Sequence, residues 1–319
     1  MLLAISFFVT PWLYAQQDPQ FTQNMFNQFS INPAYAGSQG QVCFTTLARQ
    51  QWMGFDGSPA TQDFGIHTPF KLFGAEHGVG LTVQNDKYLF NTHQNISLSY
   101  AYRFEMGKGK LGLGGRVGYH IFDFNPTWKY PYDVVSGGVG SPESVIPDKA
   151  EKINLIDYSV GAFYNAEDAY LGLSVSNLTN PELKYQGTAA STSSAKTNLL
   201  RHIYVSAGYY YQLPSNPLIV LAPSFFMMTY GQGTQLNFNL NVIYNDKIWG
   251  GLSYRVNDAL SLLFGFQLYN GLKIGGAYDL NLFSPVGRFS SGSMEFLLSY
   301  SFSLKKEKVL RRYKSVRFL

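Results

Sequence analysis

Five histidines, His67, His77, His93, His120 and His202, are the first residues to weigh, because imidazole can ligate a metal or carry a proton near neutral pH. Their spacing serves neither purpose. No HExxH pattern puts two of them on one helix face, and Cys43, the only cysteine, cannot complete a Cys/His metal set. A GxSxG nucleophile elbow and a Gly-rich phosphate loop are both missing. No Ser/His/Asp set can be assembled on neighbouring loops, so the expectation is a non-enzymatic chain with no cofactor and no metal. Cys43 has no partner for an internal disulfide and reads as a strand residue. The remaining chemistry is ionic and aromatic. Arg103, Arg116, Asp157, Arg255, Lys273, Asp279 and Glu295 recur at polar positions of alternating segments. Arg49, Gln51, Trp52, Phe55, Asp56 and Gly57 form a compact mixed group. What either set can do depends on the elements that carry it.

Those elements show a period of two. Ile96, Leu98, Tyr100, Tyr102 and Phe104 alternate with Ser97, Ser99, Ala101 and Arg103. Leu236, Phe238, Leu240, Val242 and Tyr244 alternate with Asn237, Asn239, Asn241 and Ile243. One face is apolar and aromatic; the other is Gly, Ser, Asn and an occasional charge. Segments of about 9–12 residues match the length of a tilted strand crossing a bilayer. The polar faces carry short residues, not the Lys and Glu that cover a water-facing sheet. Fourteen such segments begin near residues 41, 60, 76, 93, 110, 154, 169, 201, 218, 234, 247, 259, 271 and 293. The count is even, as single-chain bacterial barrels require. Connections alternate too. Leu72–Ala75, Met106–Gly109, Asn165–Asp168, Leu213–Pro217, Asn245–Asp246 and Tyr269–Asn270 are short, and Met53–Pro59, Asn125–Ile153, Leu178–Leu200 and Leu282–Gly292 are long. Short periplasmic turns and long outer loops have this parity. Pro223 lies inside the ninth segment, where its missing N–H predicts a bulge or a shifted strand boundary.

The expected fold is therefore an all-β transmembrane outer-membrane barrel of about 14 antiparallel strands, with outer-membrane lipid around it. Residues 1–15 read as a signal peptide, 16–40 as an N-terminal leader, 41–304 as the barrel and 305–319 as a basic tail. Composition agrees: only 14% of residues are charged, against roughly 25% in ordinary soluble proteins. Aromatic residues reach 16%. Lys305, Lys306, Lys308, Arg311, Arg312, Lys314 and Arg317 against Glu307 give the tail +6, so a total of +4 leaves −2 for the rest. A basic body for nucleic acid is not present. Both termini are expected in the periplasm, and the tail could dock on an acidic partner or anionic lipid.

The barrel gives the charges a place. Arg103, Arg116, Arg255, Lys273, Asp279 and Glu295, with Asp157, are expected in the lumen, because a charge facing lipid at the midplane costs roughly 2–4 kcal/mol. A salt-bridged brace is favoured over a substrate path. Phe21, Met25, Phe26 and Phe29 are spaced for a helical turn or two, which Asn32-Pro33 ends. An apolar segment at the barrel mouth should fold into or under it and partly plug it. Arg49, Trp52, Phe55 and Asp56, with Phe21, Met25, Phe26 and Tyr35, form the candidate partner-binding set.

Gln17-Asp18-Pro19-Gln20-Phe21, Met25-Phe26-Asn27 and Ile31-Asn32-Pro33-Ala34-Tyr35-Ala36-Gly37-Ser38 resemble the opening signature of the PorP/SprF family of Bacteroidetes outer-membrane proteins. The likeness continues through Arg49-Gln50-Gln51-Trp52, Asn85-Asp86-Lys87 and Gly251-Leu252-Ser253-Tyr254-Arg255 to Ser290-Ser291-Gly292-Ser293, spanning residues 16 to about 304. It departs at Gln28-Phe29 and at Met294. The resemblance implies a part in type IX secretion and gliding. It would support export or surface attachment of a large adhesin-like protein with a C-terminal sorting domain, and link to periplasmic ring proteins. The alternative is a passive porin or nutrient-uptake channel.

Overall fold

The structure, a computed structural model, describes residues 18–126, 150–185, 195–231, 233–268 and 271–303. The expected signal peptide and the basic tail from Lys305 to Arg317 lie outside the described residues, as do Tyr269–Asn270. The strands are β1 (Val42–Gln50), β2 (Ala60–Leu72), β3 (Ala75–Tyr88), β4 (Asn91–Met106), β5 (Gly109–Phe124), β6 (Glu151–Asn165) and β7 (Ala169–Ser176). There follow β8 (Glu182–Tyr185), β9 (Ala195–Asn198), β10 (His202–Tyr209) and the two-residue β11 (Tyr211–Gln212). The last six are β12 (Ile219–Tyr230), β13 (Gly233–Tyr244), β14 (Ile248–Arg255), β15 (Ala259–Gln267), β16 (Leu272–Leu280) and β17 (Ser293–Phe302).

Neighbouring strands pair antiparallel in chain order, β10 pairs with β12, and β1 pairs with β17. The sheet therefore closes on itself as a barrel of 14 strands. β11 continues β10, and β8 and β9 pair only with each other. The fourteen expected starts all fall within three residues of barrel strands. No helix among the described residues is long and apolar enough to cross a membrane; a barrel crosses with strands.

Each strand shows the two faces that its alternation prescribes. Along β4, Leu98 is 65% exposed and Tyr100 48%, whereas Ser97, Ser99, Ala101 and Arg103 are buried. The outward face is thus apolar, as contact with acyl chains requires. The inward face is polar, yet it is closed to solvent. Something other than water fills the lumen.

The turns show how register is fixed. Asn245 and Asp246 both have positive φ, 53° and 52°, the conformation of a two-residue hairpin turn that matches strand twist. Pro223 corrects the expectation of a bulge. β12 runs unbroken through it, paired in one register with β13 from Ile219↔Tyr244 to Tyr230↔Gly233. The missing N–H is felt on the other side, where the ladder from β10 lapses after Gly208↔Ser224 and resumes at Tyr211↔Leu221. Tyr210, in the gap, donates its N–H to the Asp168 carbonyl at 2.7 Å. The long connection after β7 also holds more than a loop: β8 and β9 form a hairpin whose Leu183 packs with Phe122 and Leu199.

Leu98 sits midway along the outward face of β4. Replacing it with Arg is expected to lower stability by about 2–4 kcal/mol, read from the urea midpoint of folding into lipid vesicles. Leu98→Ile should leave that midpoint nearly unchanged.

Candidate functional site

The lumen is filled by the leader. Its described part begins at Asp18 among the strand ends that the long loops join, beside His202 and Tyr204. It ends at the opposite mouth, where β1 starts. Along the way it touches strands on every side of the ring, which only a segment inside the barrel can do. It is built of a 3₁₀ turn (Asn24–Phe26), a single α-turn, α1 (Gln28–Ile31), and a second 3₁₀ turn (Pro33–Tyr35). Asn32 caps the last, its side chain accepting the Ala34 N–H at 3.0 Å, with Pro33 in the position that needs no donor.

The tightest fixing point surrounds Thr22. Glu295 accepts the backbone N–H groups of Thr22 at 2.5 Å and Gln23 at 3.0 Å, one on each carboxylate oxygen. The Thr22 hydroxyl donates to Asp279 at 2.7 Å and accepts from Arg255 at 2.9 Å. Arg49 spans the same two acids, pairing with Glu295 and with Asp279 at 2.8 Å. Arg255 also pairs with Asp258 at 3.0 Å. Arg49 and Glu295 stand directly opposite each other on β1 and β17. All four core members, Arg49, Arg255, Asp279 and Glu295, are almost wholly buried. Buried charges persist only when paired and hydrogen-bonded, and here the leader backbone completes the set.

Further down, Asp63 accepts from Asn27 Nδ2 at 2.6 Å and from Ser30 Oγ at 2.9 Å. Arg116 donates to the carbonyls of Phe29 and Ser30 and lies over the Phe29 ring, 5.5 Å from its centroid. Ser174 holds the Ile31 carbonyl at 2.7 Å, and Arg103 holds that of Ala34 at 3.2 Å. The glycines of the strands now acquire a purpose. A Cβ on Gly80, Gly112 or Gly114 would come within 3.0 Å of Phe29 or Ala34. On Gly78 and Gly161 it would collide with Ala36 and Asn32. These bare positions form a track on which Asn32 to Gly37 lies flat against the wall. Gly37 itself adopts φ 72°, and its own Cβ would press on the Gly78 and Pro69 backbone.

Apolar contacts complete the seal. Phe21, Met25 and Phe26 pack with Leu47, Trp249, Leu263 and Leu297, and the Phe26 and Trp249 rings are 4.6 Å apart. At the upper end the Asp18 carboxylate accepts from Tyr204 Oη at 2.6 Å and sits 3.5 Å from His202 Nδ1. Burial opposes its charge, but His202 and Tyr204 outweigh that and hold this carboxyl below its usual range. Above the leader lies a vestibule of about 760 Å³, its floor made by Asp18, Pro19 and Gln20. Trp52, Phe55, Asp56 and Gly57 line it, with Asp86, Tyr88 and Phe122.

The residues expected in the lumen are distributed as follows. Arg103, Arg116, Asp157, Arg255, Asp279 and Glu295 face inward. Of these the structure joins Arg255, Asp279 and Glu295, while Asp157 holds Thr179 of the third long loop. Lys273 is also on the inward face, opposite Gln267 and Ser299, away from that cluster. The expected partner-binding set divides. Phe55 and Asp56 are exposed and Trp52 partly so, whereas Phe21, Met25, Phe26 and Tyr35 pack inside the barrel. Arg49 is a correction: it is no accessible anchor, because its strand position points it inward, where both its acids lie. Thr22 and Asp63 carry no mark in the sequence, and Asn27 and Asp86 stand there only within family motifs, since short polar residues carry no periodic signal. Among the described residues, no group of three or more His, Cys, Asp or Glu is arranged to hold a metal ion; His93 and His120 instead share a 3.0 Å contact.

Residues 13–300 match the family described as type IX secretion system membrane protein PorP/SprF. No curated protein matches the sequence. Among solved structures, the toluene transporter TbuX of Ralstonia pickettii is similar at 11% identity and TM-score 0.48, over 85% of this chain and 92% of that one. The CymD monoaromatic hydrocarbon channel gives 12% and 0.48, over 89% and 93%. The Pseudomonas putida toluene transporter TodX gives 12% and 0.46, over 89% and 94%.

Arg49→Met would leave Asp279 and Glu295 buried with one cation fewer. It is expected to cost about 3–5 kcal/mol in denaturant unfolding from lipid vesicles. Deleting residues 18–30 is expected to turn a nearly silent barrel into a conducting one in planar bilayers. Unchanged conductance would show that the leader is not the barrier.

Proposed function

The chain belongs to the PorP/SprF family of type IX secretion system membrane proteins, and from that premise we propose that it is an outer-membrane component supporting the export or surface attachment of a large adhesin-like protein. The observation that carries this reading is the family match across nearly the whole barrel together with an occupied lumen. A passive porin needs an open polar channel, and here the polar inward face is covered by the leader. Cargo of adhesin size would not pass through such a lumen. The barrel acts as a membrane-held platform: the long-loop mouth, with Trp52, Phe55 and Asp56, receives the secreted protein's C-terminal sorting domain. The short turns and the basic tail from Lys305 to Arg317 face the periplasmic ring proteins. The tail's +6 favours an acidic partner there, worth about 1 kcal/mol per residue near an anionic surface. No step in this role requires a catalytic group.

Affinity purification of a tagged copy from gently solubilised native membranes, followed by mass spectrometry, tests the proposal. A large secreted protein and periplasmic ring proteins are expected to come with it. Recovery of the barrel alone, even after cross-linking, would overturn the reading.

A further inference from the structure

The vestibule has a chemistry of its own. Its walls are aromatic and apolar, with Trp52, Phe55, Tyr88 and Phe122 prominent, and its volume of about 760 Å³ is large enough for a short stretch of polypeptide. Four aspartates line it against one arginine. Two of the four are committed: Asp18 to Tyr204 and His202, Asp258 to Arg255 and Asn281. Arg255 is committed in turn to Asp258, Asp279 and Thr22.

Asp86 differs. It is only 7% exposed, so its carboxylate is largely withdrawn from water. One of its oxygens accepts the Thr61 hydroxyl at 2.6 Å, and the other has no hydrogen-bond partner among the described residues. No Lys, Arg or His among them pairs with it either. His93, directly opposite on β4, gives its ring to His120 and to stacking on Phe122, with centroids 4.1 Å apart. Lys87, next in sequence, is on the outward face. A buried carboxylate without a counter-ion is costly unless it takes up a proton or a cation is brought to it. Here it opens into a cavity whose aromatic walls would also favour a cation.

We propose that the vestibule binds an extended peptide segment that presents one arginine or lysine to Asp86, with apolar side chains on either side packed against Trp52, Phe55 and Phe122. The inference rests on the reading of this mouth as the receiving face and names the chemistry it selects. A small free amine would satisfy Asp86 but leave most of the aromatic wall uncovered. A neutral apolar segment would cover the wall and leave the carboxylate unpaired.

The test uses the full-length protein in detergent and two fluorescein-labelled heptapeptides. One has a single arginine among leucines; the other has neutral citrulline in its place. Fluorescence anisotropy is expected to show the arginine peptide binding wild type about tenfold or more tightly than the citrulline peptide. Asp86→Asn, which keeps the Thr61 hydrogen bond, should weaken the arginine peptide by a similar factor and leave the citrulline peptide unchanged. Heat-modifiable gel migration verifies that the variant barrel is folded, and Phe55→Ser should weaken both peptides. Equal binding of the two peptides, indifference to Asp86→Asn, or no binding of either would overturn the inference. If charge-selective binding holds while no secreted protein co-purifies from native membranes, the export reading fails and this inference stands. The reverse result removes the inference alone.

Discussion

One carboxylate organises this molecule. Glu295 takes two consecutive backbone N–H groups of the leader while paired with Arg49, its opposite number on the neighbouring strand. The leader's start, the first strand and the last strand are thereby held at one point. A barrel lumen with a polar inner face can be filled with water or with polypeptide that bonds to part of the wall and covers the rest. This chain takes the second. Its inward serines, asparagines and charges are buried because a second layer of protein lies over them. The aromatic packing of Phe21 and Phe26 on Trp249 excludes water from the gap that ionic contacts alone would leave.

The leader is held differently at different levels. Around Thr22 the contacts are charged and discriminating, for each acid and each arginine has a fixed partner. Around Asn32 to Gly37 they depend on shape: bare glycines admit the backbone, and a few hydrogen bonds from Asn32 and Arg103 set its position. At Asp18 the hold is a single carboxylate among Tyr204 and His202, bordering the vestibule. The strongest attachment thus lies at Thr22, just below the long-loop mouth, and only the few residues above it are lightly held. The end nearest the open cavity is the one with least to break.

The strands were legible in the sequence because their signal is local and repeated. Alternation such as Ile96 to Phe104 declares both faces within one segment, and turn residues such as Asn245-Asp246 mark the boundary without reference to distant parts of the chain. Pro223 announces a lost hydrogen bond but not where it is felt: strand continuity is set by both neighbours, and the lapse falls on the β10 side. The inward burial of Arg49 is hidden from the sequence for a related reason. Arg49 sits three positions before Trp52, but a residue at a strand end points inward or outward by parity, and its partners, Asp279 and Glu295, lie over two hundred residues away. The role of Gly78, Gly112 and Gly161 was equally hidden, since a missing side chain reveals nothing until the segment that occupies its space is known. Asp86 had a motif around it but no visible partner; only the cavity showed that its isolation was a feature.

The pairing of Arg49 with Glu295 falls on the seam where the sheet joins its own beginning to its end. Thr22 is separated from Glu295 by 273 positions, so that bond cannot form until the last strand arrives. In the closed barrel the final hairpin lies against a surface that includes the leader, and its carboxylate holds two of the leader's amide protons. The segment that fills the lumen also backs the seam at which the cylinder is shut. A misthreaded chain would present the last strand with an arginine and no amides, and its edges would have less to hold them together.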